Sequence, residues 1–302
     1  MKILLLGKNG QVGWELQRSL TALGEVVALD FDSPGPLTAD FSMPESLAAT
    51  VRAVAPHIIV NAAAHTAVDK AESEPDLARA LNATSPAVLA REARLLGAWL
   101  LHYSTDYVFD GSGDVPWLED SPTGPLNVYG TTKLEGEQAI RASDCQHLIL
   151  RTSWVYAARG GNFAKTMLKL ARERDRLTVI ADQFGAPTGA DLLADLSAHM
   201  LRTALLRPEV AGTYHAVNAG ETSWHGYARH VIEFARALGQ PIKVAPDAIE
   251  PVPSSAFITA AKRPGNSRMN TRKLRDTFGL ALPSWQSGTD RMLTEVLSAH
   301  LN

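Results

Sequence analysis

Lys2-Ile3-Leu4-Leu5-Leu6-Gly7-Lys8-Asn9-Gly10-Gln11-Val12-Gly13 decides the fold. A short apolar run, Lys2-Leu6, reads as a strand, and the residues from Gln11 to Ala22 read as the helix that follows. Glycines between a strand and a helix let the backbone turn tightly, approach a pyrophosphate closely and pack the helix on the strand. The helix start then offers free amide protons and the positive end of its dipole to phosphate. The spacing is Gly-x-x-Gly-x-x-Gly, which departs from the more familiar Gly-x-Gly-x-x-Gly. Roughly 20 residues on, Asp30 closes a second apolar run, where a carboxylate binds adenosine ribose hydroxyls. Its alternative is a solvated turn residue before Ser33-Pro34-Gly35. A carboxylate there would repel a 2′-phosphate, so Asp30 leans towards NADH without excluding NADPH.

The same alternation continues outward. Strands are expected at Lys2-Leu6, Glu25-Asp30, His57-Asn61, Ala98-Tyr103 and His147-Arg151, with helices at Gln11-Ala22, Pro44-Val54, Asp76-Leu96 and Val128-Arg141 between them. That order predicts an α/β fold, a Rossmann-type doubly wound parallel sheet covered on both faces. After Arg151 the rhythm loosens into a helix at Phe163-Glu173, a strand at Leu177-Ile180, a helix at Asp191-Leu205, a strand at Tyr214-Asn218 and a helix at Trp224-Leu238. A proline-rich stretch from Pro241 to Pro264 precedes helices near Thr271-Phe278 and Ser287-Leu301. The expected division is a cofactor domain over 1–156 and a smaller α/β substrate lobe over 157–302, with segments around 177–219 returning to the first.

Composition excludes several classes of function. The 302 residues carry a formal net charge of -3, so no basic field favours nucleic acid or an anionic membrane. The apolar run at the start stops at Gly7-Lys8, too short for a signal core or a membrane span. Nine histidines scatter without metal-like spacing, and the single cysteine, Cys145, has no partner for an intramolecular disulfide. The expectation is a soluble cytoplasmic protein. No Gly-x-Ser-x-Gly elbow, His-Glu-x-x-His helix or Gly-x-x-x-x-Gly-Lys-[Ser/Thr] loop occurs in the sequence.

Tyr129-Gly130-Thr131-Thr132-Lys133 sets a phenol and an ammonium four residues apart, on one face of a helix. A nearby cation stabilises a phenolate and brings its pKa, near ~10 when free, towards the working range. Lys133 could instead hold nicotinamide ribose hydroxyls, or be a surface lysine paired with Glu137. Leu100-Leu101-His102-Tyr103-Ser104-Thr105-Asp106 is a strand ending in hydroxyls. Thr105 there either bonds a substrate oxygen beside Tyr129 or satisfies local backbone. In Asn61-Ala62-Ala63-Ala64-His65-Thr66, small residues leave room for a ligand at a strand's carboxyl end, and His65 is either a contact or a loop histidine.

Taken together, the glycine turn, Asn61-Ala62-Ala63-Ala64-His65-Thr66-Ala67-Val68-Asp69-Lys70-Ala71-Glu72, Ser104-Thr105-Asp106-Tyr107-Val108-Phe109 and Tyr129-x-x-x-Lys133 resemble the extended short-chain dehydrogenase/reductases, and among them the nucleotide-sugar reductases. Further matches are Arg151-Thr152-Ser153-Trp154-Val155-Tyr156, Asn162-Phe163, Asp182-Gln183-Phe184-Gly185-Ala186-Pro187-Thr188 and Arg263-Pro264-Gly265-Asn266-Ser267, so the resemblance runs from residue 2 to about 295. It implies reduction, with NADH or NADPH, of the C4 ketone of a dTDP-sugar, dTDP-4-dehydro-6-deoxy-L-mannose, as the last step of dTDP-L-rhamnose synthesis. Tyr129 would then protonate the oxyanion, with Thr105 bonded to the same oxygen and Lys133 beside it. The resemblance assigns Gly7, Gly10, Gln11, Val12 and Gly13 to the pyrophosphate turn, Asp30 to the adenosine ribose, and Asp40 and Phe41 to the adenine region. Ala64, His65, Thr66 and Tyr103 would line the cofactor. Asp106 and Trp154 would hold the sugar; Asn162, Lys165 and Arg263 would hold the nucleotide diphosphate. It also implies Mg2+ at a homodimer interface on Glu15, Asp191 and Glu295, with Asp191 standing where glutamate is expected.

Two rivals share these features. Dehydratases of the same superfamily place a glutamate after the strand-end aspartate, whereas Tyr107 follows Asp106 here. A non-catalytic regulatory subunit, like that of methionine adenosyltransferase, keeps the fold and binds cofactor. The set Thr105, Tyr129 and Lys133 argues against it.

Overall fold

The computed structural model describes residues 1–298. The chain begins with β1 (Lys2–Leu6), α1 (Gln11–Thr21), β2 (Glu25–Leu29), α2 (Pro44–Val54) and β3 (Ile58–Asn61). Two short helices, α3 (Val68–Ser73) and α4 (Pro75–Arg79), lead into α5 (Ser85–Leu96), β4 (Trp99–Thr105), α6 (Val128–Ala142) and β5 (His147–Thr152). The remainder comprises β6 (Val155–Tyr156), α7 (Phe163–Glu173), β7 (Leu177–Ile180), β8 (Phe184–Gly185), β9 (Thr188–Gly189), α8 (Ala190–Leu206), β10 (Gly212–His215), β11 (Thr222–Ser223), α9 (Trp224–Ala237), β12 (Ile249–Val252), α10 (Arg272–Phe278) and α11 (Trp285–Ser298). The expected helix over Ser287-Leu301 starts two residues earlier, and its positions 299–301 lie outside the described residues.

Six parallel strands form the central sheet in the order β2-β1-β3-β4-β5-β10. Strand side chains alternate in direction, so β1 divides its residues between two cores. Ile3 and Leu5 face α1 and α8, packing with Leu16, Leu20, Leu193 and Met200. Leu4 and Leu6 face α2, α5 and α6, packing with Leu47, Val51, Leu89 and Ile140. The fold is therefore α/β and doubly wound, as expected. A third core, built on Leu168, Val231, Ile232 and Leu293, joins α7, α9 and α11. The pair β7 and β12 borders it.

Two departures from expectation have physical causes. The single helix over Asp76-Leu96 is broken into α4, a π-turn at Ala80–Thr84, and α5. Pro86 has no amide proton for the carbonyl of Asn82, so a regular i−4 ladder cannot run through this point. The freed Asn82 carbonyl lies where α6 approaches, and a Cβ at Gly136 would overlap it. In addition, β4 runs two residues further than expected and brings Thr105 into register with Thr152 of β5. That extension carries the hydroxyls of Ser104 and Thr105 to the carboxyl edge of the sheet.

Candidate active site

From β1 the chain turns outward to β2, then crosses to β3 on the other side of β1. That reversal opens a crevice over the carboxyl ends of the strands, the usual ligand position in such sheets. A cleft of about 860 Å³ lies there. Its first end is the glycine turn, where Gly7 takes a φ of +88° and a Cβ at Gly13 would overlap the Gly7 carbonyl. Gly10, Gln11 and Val12 line the cleft, whereas Gly13 lies behind them as the point of close helix packing. Gly10 caps α1 without a side-chain acceptor, which leaves the first amides of the helix for an anion. Next along the wall come Asp30, Phe31, Asp40 and Phe41. Asp30 accepts hydrogen bonds from the amides of Asn9 and Phe31, both at 2.9 Å, and so holds the turn as well as facing the cleft.

Ala64, Thr66 and Tyr103 line the middle. His65 does not. Its backbone is pinned at both ends by the Asn82 side chain, and its ring is buried 3.7 Å from Glu74.

Thr105, Asp106, Tyr129, Lys133 and Trp154 meet at the far end. The Asn127 side chain accepts from the Gly130 amide at 2.8 Å, a helix cap that starts α6 at Val128. Tyr129 and Lys133 then share the face turned to β4. Burial pushes the Tyr129 phenol up to about 12; the Thr105 hydroxyl pulls it down and Asp106 pushes it up. The Lys133 nitrogen makes its contacts on β4. Lys133 Nζ donates to the Tyr103 carbonyl at 2.6 Å and meets His102 Nε2 at 3.2 Å. Burial brings Lys133 down to about 8, with Glu137 opposing. Glu137 is not its salt-bridge partner, since both carboxylate oxygens bind Arg151, at 2.7 and 2.9 Å, with Ser104 and Arg141 adding further bonds.

Asp106 is 2% exposed. Thr105 donates to its Oδ1 at 3.0 Å, while Oδ2 has no partner. Burial raises the carboxyl to about 6, with Ser267 and Thr105 opposing. Trp154 holds a φ of +49°, costly for a bulky residue. Its indole stacks on Trp224 with centroids 3.7 Å apart and planes at 15°. Trp224 also lines the cleft, and only the fold reveals it, because it arrives from α9. Tyr107, in the position where dehydratases carry their glutamate, packs edge-on against Tyr129 at 5.4 Å.

Three expected diphosphate contacts stand outside the cleft lining. Asn162 caps α7 and reaches Gln11 Oε1 at 3.4 Å. Lys165 ties the carbonyls of Ala158 and Gly160. Arg263 forms a two-pronged pair with Asp69, at 2.6 and 3.2 Å. The implied magnesium ligands do not fit a metal. Burial, Asp191 and Glu295 raise the Glu15 carboxyl against the pull of Arg18 and Arg291, so the three carboxylates are neighbours. Arg291 nevertheless holds Asp191 at 2.8 Å, and among the described residues no group of three or more His, Cys, Asp or Glu side chains could hold a metal ion. A guanidinium supplies the positive charge there.

A family model described as the RmlD substrate binding domain matches residues 1–298. The dTDP-4-dehydrorhamnose reductase of Escherichia coli strain K12 is 58% identical over 298 residues, covering 99% of each chain. Among solved structures, a dTDP-4-dehydrorhamnose reductase from Clostridium acetobutylicum superposes with a TM-score of 0.87 at 34% identity, over 98% of this chain and 100% of its own. The Bacillus anthracis enzyme of the same name, solved in complex with NADP, superposes with a TM-score of 0.86 at 35% identity, over 97% and 99%. The chain belongs to the dTDP-4-dehydrorhamnose reductase family.

Proposed function

We propose that the chain reduces the C4 ketone of dTDP-4-dehydro-β-L-rhamnose to dTDP-β-L-rhamnose at the expense of NAD(P)H. The observation that carries this is a buried, protonated phenol, Tyr129, beside the Thr105 hydroxyl in a cleft that starts at a glycine-rich helix turn. When bound, the reduced nicotinamide supplies the hydride to C4. The chain's own groups do the rest. The free amides of the first turn of α1 and its dipole hold the pyrophosphate, with Asp30 on the ribose. Tyr129 points its hydroxyl at the ketone oxygen and passes its proton to the developing alkoxide, and Thr105, whose one proton goes to Asp106 Oδ1, joins it by turning that proton to the substrate. A phenol raised to about 12 is fully protonated at neutral pH, which suits a donor in the reducing direction. Asp106 offers its unpartnered Oδ2 to a sugar hydroxyl, and the stacked Trp154-Trp224 wall shapes the sugar end.

On this reading residues 1–156, with α8 and β10, serve the cofactor, and the later elements serve the nucleotide sugar. Tyr107 argues against dehydration, because its phenol stands where a second carboxylate would be needed. Arg263 and Lys165 reach the diphosphate only by leaving Asp69 and the 158–160 carbonyls. A homodimer belongs to the same reading and predicts a sedimenting mass twice the 32.5 kDa of the chain. The test of function is the purified chain with NADPH and dTDP-4-dehydro-6-deoxy sugars. Nicotinamide absorbance should fall with the L-configured ketone and stay level with the D-configured one. Equal consumption with both, or with neither, refutes the proposal.

A further inference from the structure

The proposed reaction leaves one buried polar group beside Lys133 without a role. His102 projects from β4, opposite Asn61 in the β3–β4 register, and each is 1% exposed. Its two ring nitrogens are both engaged: Nδ1 lies 3.0 Å from Asn61 Nδ2 and Nε2 lies 3.2 Å from Lys133 Nζ. The orientation of Asn61 follows from a third contact. The Ala63 amide is only a donor, so the Asn61 atom facing it at 3.1 Å must be Oδ1. The Asn61 amide nitrogen therefore donates to His102 Nδ1. A neutral imidazole has a single N–H, which this places on Nε2, directed at Lys133.

An ammonium has no lone pair to receive that N–H. A neutral amine does, and it can still donate to the Tyr103 carbonyl. The ammonium form fits only if Nε2 becomes the acceptor and the imidazole proton sits on Nδ1. Asn61 must then turn its oxygen to the ring and give up the Ala63 amide. The two arrangements differ by one proton, exchanged with solvent. The neutral-amine arrangement satisfies each of these contacts, whereas the ammonium arrangement leaves the Ala63 amide without Asn61. We propose that His102, oriented by Asn61, is a positioning residue of the reduction: its tautomer is coupled to whether Lys133 carries a proton. The inference rests on the reading of Lys133 as an active-site group.

The other groups packed around Lys133 do not duplicate this role. Glu137, one turn along α6, is bound by Arg151 of β5 and by Arg141. Tyr103 faces Ser197 through its hydroxyl at 2.5 Å, and Tyr129 and Asp106 lie on the cleft side. The π-turn across α6 presents uncharged Asn82, which bonds Thr132. Burial keeps the His102 ring neutral, so it responds by changing tautomer instead of charging.

Two readouts on the full chain test this. Nitrogen-15 spectra of labelled histidine, with His102 assigned through His102→Gln, should show the Nε2–H form at high pH. The Nδ1–H form should replace it as pH falls, at one midpoint and without imidazolium. In Asn61→Asp both carboxylate oxygens accept, one from Ala63 and one from Nδ1–H, so the Nδ1–H form should persist at every pH. The alkaline limb of kcat should move up by about one pH unit, a tenfold change in proton concentration. In the His102→Leu background the same change at position 61 should lose most of that displacement. A single His102 tautomer across the pH range in the unaltered protein overturns the proposal. So does a limb that stays put in Asn61→Asp, or one displaced equally without the imidazole. Full turnover in Lys133→Met would sink the reading of the site itself, with the spectra of the unaltered protein still as described.

Discussion

Replacing Asp106 by asparagine should make the protein more stable and a poorer enzyme. The carboxyl is 2% exposed, and the hydroxyls of Thr105, at 3.0 Å, and Ser267 only partly offset the cost of that burial. Its folded value of about 6 compares with roughly 3.9 for an unfolded aspartate. The folded chain therefore holds this proton more tightly than the unfolded one. The favourable contribution is complete below pH ~4 and is lost as pH rises through about 6. Two units at ~1.36 kcal/mol each set an upper bound of ~3 kcal/mol for the penalty at neutral pH. Asparagine keeps the shape and removes the charge. Asp106→Asn should thus gain ~1–3 kcal/mol in urea unfolding at pH 7.5, and the gain should shrink towards zero by pH 4. KM for the nucleotide sugar should rise because the amide no longer presents a charged acceptor to the sugar hydroxyl. A variant no more stable than its parent at pH 7.5 refutes this reasoning. Equal stabilisation at pH 4 and pH 8 refutes it as well.

Glu137→Gln leaves Arg151, almost fully buried, without its counter-charge; breaking such a pair costs ~3–5 kcal/mol, read as a lower urea midpoint with cofactor affinity preserved in the folded fraction. Asp30→Ala removes the carboxylate facing the adenosine end of the cleft. The ratio of NADPH to NADH affinity should rise about tenfold, or ~1.4 kcal/mol, in a fluorescence titration, and an unchanged ratio would remove Asp30 from cofactor choice.

The cofactor half was legible because its signals are local. The glycine turn, the start of the helix at Val128 and the Tyr129-Lys133 spacing are each set within a few residues, and all sit where the sequence places them. The elements α2, α7 and β7 match their expected ends as well. Tertiary partners were not legible. Lys133 finds His102 31 residues back, through the register of β4 against α6. Arg263 finds Asp69 194 residues away, and Lys165 finds loop carbonyls. Long charged side chains take whatever acceptor the fold presents, so the diphosphate role that the resemblance implied for them gave no sign of these partners. His65 and the break at Ala80–Thr84 share one cause, Asn82, whose side chain pins the loop and whose carbonyl Pro86 cannot satisfy.

Tyr129 is the proposed proton donor to the sugar ketone. Tyr129→Phe tests it most directly, because the change removes one oxygen and leaves the ring packed against Tyr107. With dTDP-4-dehydro-β-L-rhamnose and NADPH, kcat should fall by ~10²–10⁴-fold while the NADPH dissociation constant and the melting temperature stay at parental values. Near-parental turnover in that variant would contradict the account.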